Sequence, residues 1–260
     1  MKHILKYSFY EMVRSRWIFI YTGFYFVVTL SLFLLSSDTA KVLVSMMNIT
    51  LALSPLIGIL FGTTYYHSSK DFIHMLMCQP ISRWNIFLAI YGGLAAALII
   101  SILIGIGIPM LFFGILTSTY LVLFSLLLLM ACVLSVIFSL IAFTIAIKFE
   151  SKVKGFSIAI LVWLFFAVVY DGLVLLIMLM FKDYPLDKFT IGVVVMNPID
   201  LARILMIMKL DASAMMGYTG AVLTKFLGKG WGSVLITLSL LTWIIVPLFY
   251  LRRLENRKDF

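Results

Sequence analysis

The chain has 260 residues, 63% hydrophobic and 12% charged, and a mean hydropathy of +1.15. Soluble domains run about 45–50% apolar and about 25% charged, so the composition excludes every class but an integral membrane protein. The net charge of +9 follows from topology, because cytoplasmic loops gather Lys and Arg; no nucleic-acid partner is expected.

The chain opens on "MKHILKYSFYEMVRSRW". Apolar Ile4, Leu5, Tyr7, Phe9, Met12 and Val13 alternate there with Lys2, Lys6, Glu11 and Arg14. That pattern predicts an amphipathic helix over 1–16, lying in the inner membrane interface. Charges recur through Arg16 with no apolar run before them, so this is read as a retained helix and not a cleaved signal.

A spanning helix needs roughly 20 mostly apolar residues. Six segments qualify, at about 17–35, 42–65, 84–112, 120–147, 156–181 and 231–251. No charged residue occurs from Trp84 to Ile147, and "GILTSTY" at Gly114–Tyr120 divides that run into two spans. Barrel strands would alternate apolar and polar residues over short stretches, which these runs do not. The expected fold is an all-α polytopic membrane protein.

With the N-terminus inside, the cytoplasmic pieces hold Lys2, Lys6, Arg14, Arg16, Lys70, Arg83, Lys148, Lys152, Lys154, Arg252, Arg253, Arg257 and Lys258. The outer side has Lys41 in its first loop, none in its second and six in its long last loop; long loops weigh little in this rule. Both termini are then cytoplasmic, the chain ending in a basic tail, 252–260.

Between the second and third spans lies "SSKDFIHMLMCQPISRW". Ser68 or Ser69 caps a short helix over 69–79, Asp71 sits near its start and Pro80 ends it. Phe72, Ile73, Met75, Leu76 and Met77 give it a greasy face; Lys70, His74 and Gln79 give it a wet one. Such a helix lies on the membrane or docks as a knob into another protein's groove.

The last outer loop contains "NPIDLARILMIMKL". Asn197 reads as an N-cap, Pro198 as the first helical residue and Asp200 as a first-turn acid. Asp211 caps a second short helix, "ASAMMGYTGAVLTKFL". Both are too apolar for an aqueous loop, so the helices within 190–228 lie on the outer interface or plug the top of the bundle. "GKGWGS" reads as a flexible turn into the sixth span.

Catalytic signatures are missing. The chain has no G-x-x-x-x-G-K-[ST], no H-E-x-x-H and no G-x-S-x-G, so no enzyme activity is expected. His3, His67 and His74 are scattered, and Cys78 and Cys132 are not expected to meet. Met196, Met206, Met208, Met215 and Met216 fall in the last outer loop; methionine thioethers suit Cu(I) but also fill apolar faces. No cofactor or metal is assigned to the chain itself.

Asp171, in "FFAVVYDGLVLLI", is the one charge within a span. It is a functional group by default, or a structural one bonded to a Ser, Thr or Tyr of a neighbouring helix or solvated toward the outer leaflet. The structural reading is preferred, because a carboxylate without partner charges does not make a proton-coupled transporter. Gly58 and Gly62 form a G-x-x-x-G that permits close helix packing, and Pro109 and Pro247 mark kinks near span ends.

The order of these pieces resembles the permease subunit of ABC-2 type transporters. "QPISRWNIFLAIYGG" is similar to that family's passage into the third span, with Ala89 and Ile90 where the family often has a Lys. The family's preceding acidic-Gly-Thr run is replaced by "SSKDFIH". Within the family, "VWLFFAVVYDGLVLL" and "MNPIDLARILMIMKLDASAMMG" resemble the NosY-like permeases of nitrous oxide reductase maturation, above all in Asn197, Pro198 and Asp200.

The resemblance implies a homodimer in a bacterial inner membrane. A separate cytoplasmic ATPase (NosF-like), carrying ATP and Mg2+, would seat on Lys70, Asp71, Phe72, Ile73, His74, Met75, Leu76 and Met77. A periplasmic β-helical protein (NosD-like) would meet Asn197, Pro198, Asp200 and Arg203, or those residues would form a gate. The function implied is assembly of the reductase's copper–sulfur site, by moving a sulfur species or transmitting force. The alternatives are a general ABC-2 exporter of lipid, drug or ion, and a stand-alone secondary transporter, which would need coupled intramembrane charges.

Overall fold

Long apolar runs can satisfy their own backbone in lipid only as helices, and every described element of the computed structural model is helical. The structure describes residues 2–36, 38–115, 120–181, 192–193, 195–209 and 231–255. In chain order its main helices are α1 (Lys2–Val13), α2 (Arg16–Leu35), α3 (Thr39–Ser68), α4 (Lys70–Met77), α5 (Arg83–Phe112), α6 (Leu121–Lys148), α7 (Lys152–Met180), α8 (Pro198–Lys209) and α9 (Trp231–Glu255). Six are long and apolar enough to span a membrane: α2, α3, α5, α6, α7 and the Ile236–Glu255 part of α9.

The spans run longer than their apolar runs, because polar ends continue the helix. The Asp38 carboxylate accepts the Ala40 N–H at 3.0 Å and starts α3 three residues before the apolar run. Between α5 and α6, Gly114 takes a φ of 73°, a left-handed turn open to glycine at no steric cost.

α3 and α6 form the centre of the bundle. A Cβ on Gly62 would lie 2.6 Å from the Ser139 carbonyl oxygen, and one on Gly58 2.9 Å from that of Ser135. The two backbones therefore touch, as the G-x-x-x-G spacing predicts. Hydrogen bonds tie neighbours to this pair. Tyr25 and Ser54 share one at 3.0 Å, Tyr91 donates to the Val136 carbonyl at 2.8 Å, and Trp163 donates to that of Ala52 at 3.2 Å.

Two spans contain a π-turn, Leu103–Gly107 in α5 and Phe165–Val169 in α7. Such single-turn bulges shift the backbone ladder by one residue and recur at functional sites. At the first, a Cβ on Gly105 would meet the Thr22 carbonyl oxygen at 2.9 Å, which is where α2 crosses.

α1 is packed on protein as well as facing outward. Ile4, Ser8 and Met12, four residues apart, are buried. A Cβ on Gly93 of α5 would lie 2.6 Å from the Ser8 Cβ and 2.8 Å from the Phe9 nitrogen. The Tyr65 hydroxyl of α3 donates to the Glu11 carboxylate at 3.2 Å. The sequence predicts an amphipathic helix in the membrane interface; the structure turns the stripe of Ile4, Ser8 and Met12 inward and leaves Tyr7 and Tyr10 exposed.

Candidate functional site

Contacts gather α1, α4, the α6–α7 link and the Arg252 end of α9 at one end of the bundle. At that end a single residue turns the corner. The Ser69 N–H donates to the Tyr65 carbonyl, closing α3, and the Ser69 carbonyl accepts the Ile73 N–H, opening α4, both at 2.9 Å. Ser69 is thus the cap residue, through its backbone and with no side-chain cap bond. Asp71 in the first turn complements the helix dipole.

α4 has eight residues, about 12 Å of helix, and crosses nothing. Ile73 and Leu76 are buried, and Phe72 and Met77 are half-buried against the bundle. The Phe72 ring lies 4.8 Å from the Tyr7 ring of α1. Lys70 and His74 are half-buried, and Asp71 and Met75 face outward, Met75 with 57% of its surface free. The greasy face read from the sequence is therefore divided. Ile73 and Leu76 anchor the helix, and Met75 is the apolar side chain left facing outward. The i, i+3 spacing of Ile73 and Leu76 was the available signal.

Neighbouring elements complete this face. Tyr66, His67 and Lys70 border a crevice with Ala146, Phe149 and Glu150 at the end of α6. The Arg252 guanidinium lies 5.9 Å above the Trp84 ring, so the end of α9 rests on the start of α5.

At the opposite end, α8 is built as its sequence predicts and placed inside the bundle. Asn197 Oδ1 accepts the Ile199 N–H at 3.1 Å, and the Asn197 carbonyl accepts the Leu201 N–H at 3.0 Å. Pro198 takes the first helical position, where its missing N–H costs nothing. Ile199, Leu201, Ala202, Ile204 and Met206 are buried, against α3, α6 and α9. α8 therefore packs onto three spans at this end of the bundle. Ser239 of α9 holds the approach to α8, donating to the Val195 carbonyl at 2.9 Å.

The polar side of α8 is joined to α7. Asn197 Nδ2 donates to the Phe166 carbonyl in the π-turn at 3.0 Å and to Asp200 Oδ2 at 2.8 Å. Arg203, one turn on, donates to Asp200 Oδ1 at 3.1 Å and to Asp171 Oδ2 at 2.8 Å. Tyr170 donates to the Val193 carbonyl at 2.5 Å. Asp171 therefore has a charged partner. That corrects the expectation of a lone carboxylate bonded to a neutral hydroxyl.

The knot holds two acids and one guanidinium. Burial raises the Asp200 carboxyl, the Asp171 charge raises it further, and Arg203 offsets them only in part, so it is pushed from 3.8 up to about 7. The Asp200 side chain is 13% exposed, against 31% for Asp171 and 33% for Arg203.

The second short helix, "ASAMMGYTGAVLTKFL", Met215, Met216 and the turn at 228–230 lie outside the described residues. Among the described residues no three His, Cys, Asp or Glu side chains gather as metal ligands. Met206 is buried and Met196 exposed. Cys78 is exposed, Cys132 half-buried, and both are free thiols. No protein-family model matches the chain, and no curated protein matches it.

Proposed function

We propose that the chain is the permease subunit of an ATP-driven membrane transporter. It works as a homodimer in a bacterial inner membrane with both termini cytoplasmic, and is driven by a separate ATPase seated on α4. The observation that carries this reading is the mounting of α4. One residue joins it to α3, Ile73 and Leu76 fasten it to the bundle, and Tyr7 of α1 braces Phe72. Force applied at Asp71 and Met75 reaches the spans on both sides. ATP and Mg2+ belong to the partner, since this chain has no phosphate-cradling G-x-x-x-x-G-K-[ST] loop.

The finer reading is maturation of the copper–sulfur site of nitrous oxide reductase, with a secreted β-helical partner at the α8 end. Its support is the sequence resemblance at Asn197, Pro198 and Asp200, together with their shared place in one hydrogen-bonded knot. Purification from native membranes in mild detergent, with identification of co-eluting chains, tests both levels. The expected companions are a P-loop ATPase and a secreted β-helical protein. An ATPase alone would assign a general exporter of lipid, drug or ion, and neither companion would overturn the reading.

The Asp171–Arg203–Asp200 cluster favours a second reading, a secondary transporter using coupled intramembrane charges. Activity that survives without any ATPase and is abolished by Asp171→Asn would establish it.

A further inference from the structure

Among the described residues, two carboxyls share one guanidinium and are one positive charge short of neutrality. Asp171 comes from α7 and Asp200 from α8, and Arg203 donates to both, at 2.8 and 3.1 Å. Both bonds come from the same guanidinium nitrogen, which brings the two carboxyls together. We propose that Asp171 and Asp200 form a one-proton site, and that the proton bound between them locks α8 against α7.

With the proton in place the cluster is neutral: one carboxylate, one carboxylic acid and one guanidinium. Arg203 and Asn197 hold the Asp200 oxygens, and the acid proton lies toward Asp171. Without it, two carboxylates face each other in a half-buried site behind a single cation. Like charges sharing a site cannot both ionise freely. Separation of α8 from α7 relieves the repulsion, and the seam runs through the π-turn that Asn197 grips at the Phe166 carbonyl.

Among the described residues few other ionisable groups lie on the elements packed here. From α7 comes Tyr170, whose hydroxyl is given to the Val193 carbonyl. From α3 come Asp38, at its cap, and Lys41, which pair with each other at 3.8 Å. From α6 come Cys132 and, just before its start, Tyr120; the remaining ionisable groups of α3, α6, α7 and α9 lie toward the α4 end. Asp171 and Arg203 keep about a third of their side-chain surface uncovered by the chain, 31% and 33%.

The sign follows from the geometry. The docked arrangement holds the proton more tightly than a free carboxyl does, so docking is strongest in acid. It weakens as pH rises from about 4 to about 7, by at most about tenfold per pH unit, and is flat above.

The test is infrared difference spectroscopy of the full chain in lipid nanodiscs between about pH 5 and about pH 9. Expected is a protonated-carboxyl band that titrates near neutrality and vanishes in Asp200→Asn. Asp171→Asn lowers its midpoint by removing the facing charge, and Arg203→Gln raises it by removing the cation. A reporter, Ala202→Cys in a Cys78→Ser, Cys132→Ser background, follows the lock. Its labelling rate, divided by that of the unfolded chain at the same pH, rises at least about tenfold from about pH 5 to about pH 8, and stays flat with Asp200→Asn. A wild-type chain with no band titrating in this range overturns the site, and that measurement needs no variant to fold. A band whose midpoint ignores both Asp171→Asn and Arg203→Gln also overturns it. A titrating band with a pH-independent reporter overturns the lock.

Discussion

The side-chain amide of Asn197 donates to the backbone carbonyl of Phe166 at 3.0 Å, inside the π-turn of α7. The cap of one helix thereby meets the irregular turn of another. The same side chain accepts the Ile199 N–H and donates to Asp200, so one residue starts α8, orients its acid and fastens it to a span.

Asn197 variants separate these roles. Asn197→Ser keeps a capping oxygen and loses the amide, and is expected to cost about 1 kcal/mol; Asn197→Ala loses both, at about 2–3 kcal/mol. Unfolding by SDS titration from mixed micelles reads the difference. Equal effects would mean that the Phe166 contact contributes nothing.

Charge balance makes Arg203 the costlier partner to remove. Arg203→Ala leaves Asp171 and Asp200 facing each other and is expected to cost about 2–4 kcal/mol at neutral pH, while Asp171→Asn costs about 1 kcal/mol. Acid should rescue Arg203→Ala, because protonation of either carboxyl removes the repulsion. The same SDS unfolding at low and neutral pH checks this; loss of stability on acidification would contradict it.

Two glycines of α5 should respond in opposite directions. Gly93→Ala drives a methyl to within 2.6 Å of the Ser8 Cβ and 2.8 Å of the Phe9 nitrogen, so α1 must shift, at about 1–3 kcal/mol. Gly107→Ala meets nothing within 4 Å and has a helical φ of −64°. It should be neutral or stabilising by up to about 1 kcal/mol. Protease cleavage at α1 would rise for Gly93→Ala alone.

On α4, adjacent residues should dissociate folding from partner binding. Leu76 is 6% exposed and Met75 57%. Leu76→Glu buries a charge and is expected to cost about 3 kcal/mol or more. Met75→Glu leaves the fold within about 0.5 kcal/mol and removes the apolar surface on which the proposed ATPase would seat. Thermal stability in detergent separates the two; a loss as large in Met75→Glu as in Leu76→Glu would place Met75 in the core.

The six long apolar helices were legible because hydropathy counts residues, and each run is about as long as a bilayer crossing. Their ends were less so: Thr39–Lys41 and Lys152–Lys154 are polar yet helical, since a cap such as Asp38 extends a helix beyond its apolar part. The cap at Asn197 was legible from local chemistry. The Arg203–Asp171 pair was not, because it joins residues 32 apart and periodicity reads only neighbours. The clue was charge: one acid in a span, and an arginine beside Asp200 in a mostly apolar outer helix. The π-turn at Phe165–Val169 left no mark on hydropathy, because a one-residue shift in the backbone ladder changes no side chain. On α4 the residue types were legible, but which of them face inward was decided by the surfaces of α1 and α5.

The central claim is that α4 is the seat of a separate ATPase, and a photo-crosslinking amino acid in place of Met75 tests it most directly. Irradiation in native membranes is predicted to join the chain to a polypeptide carrying a G-x-x-x-x-G-K-[ST] loop, with the same probe at buried Leu76 giving no such product. Crosslinks from Met75 only to lipid or to the chain itself would contradict the account.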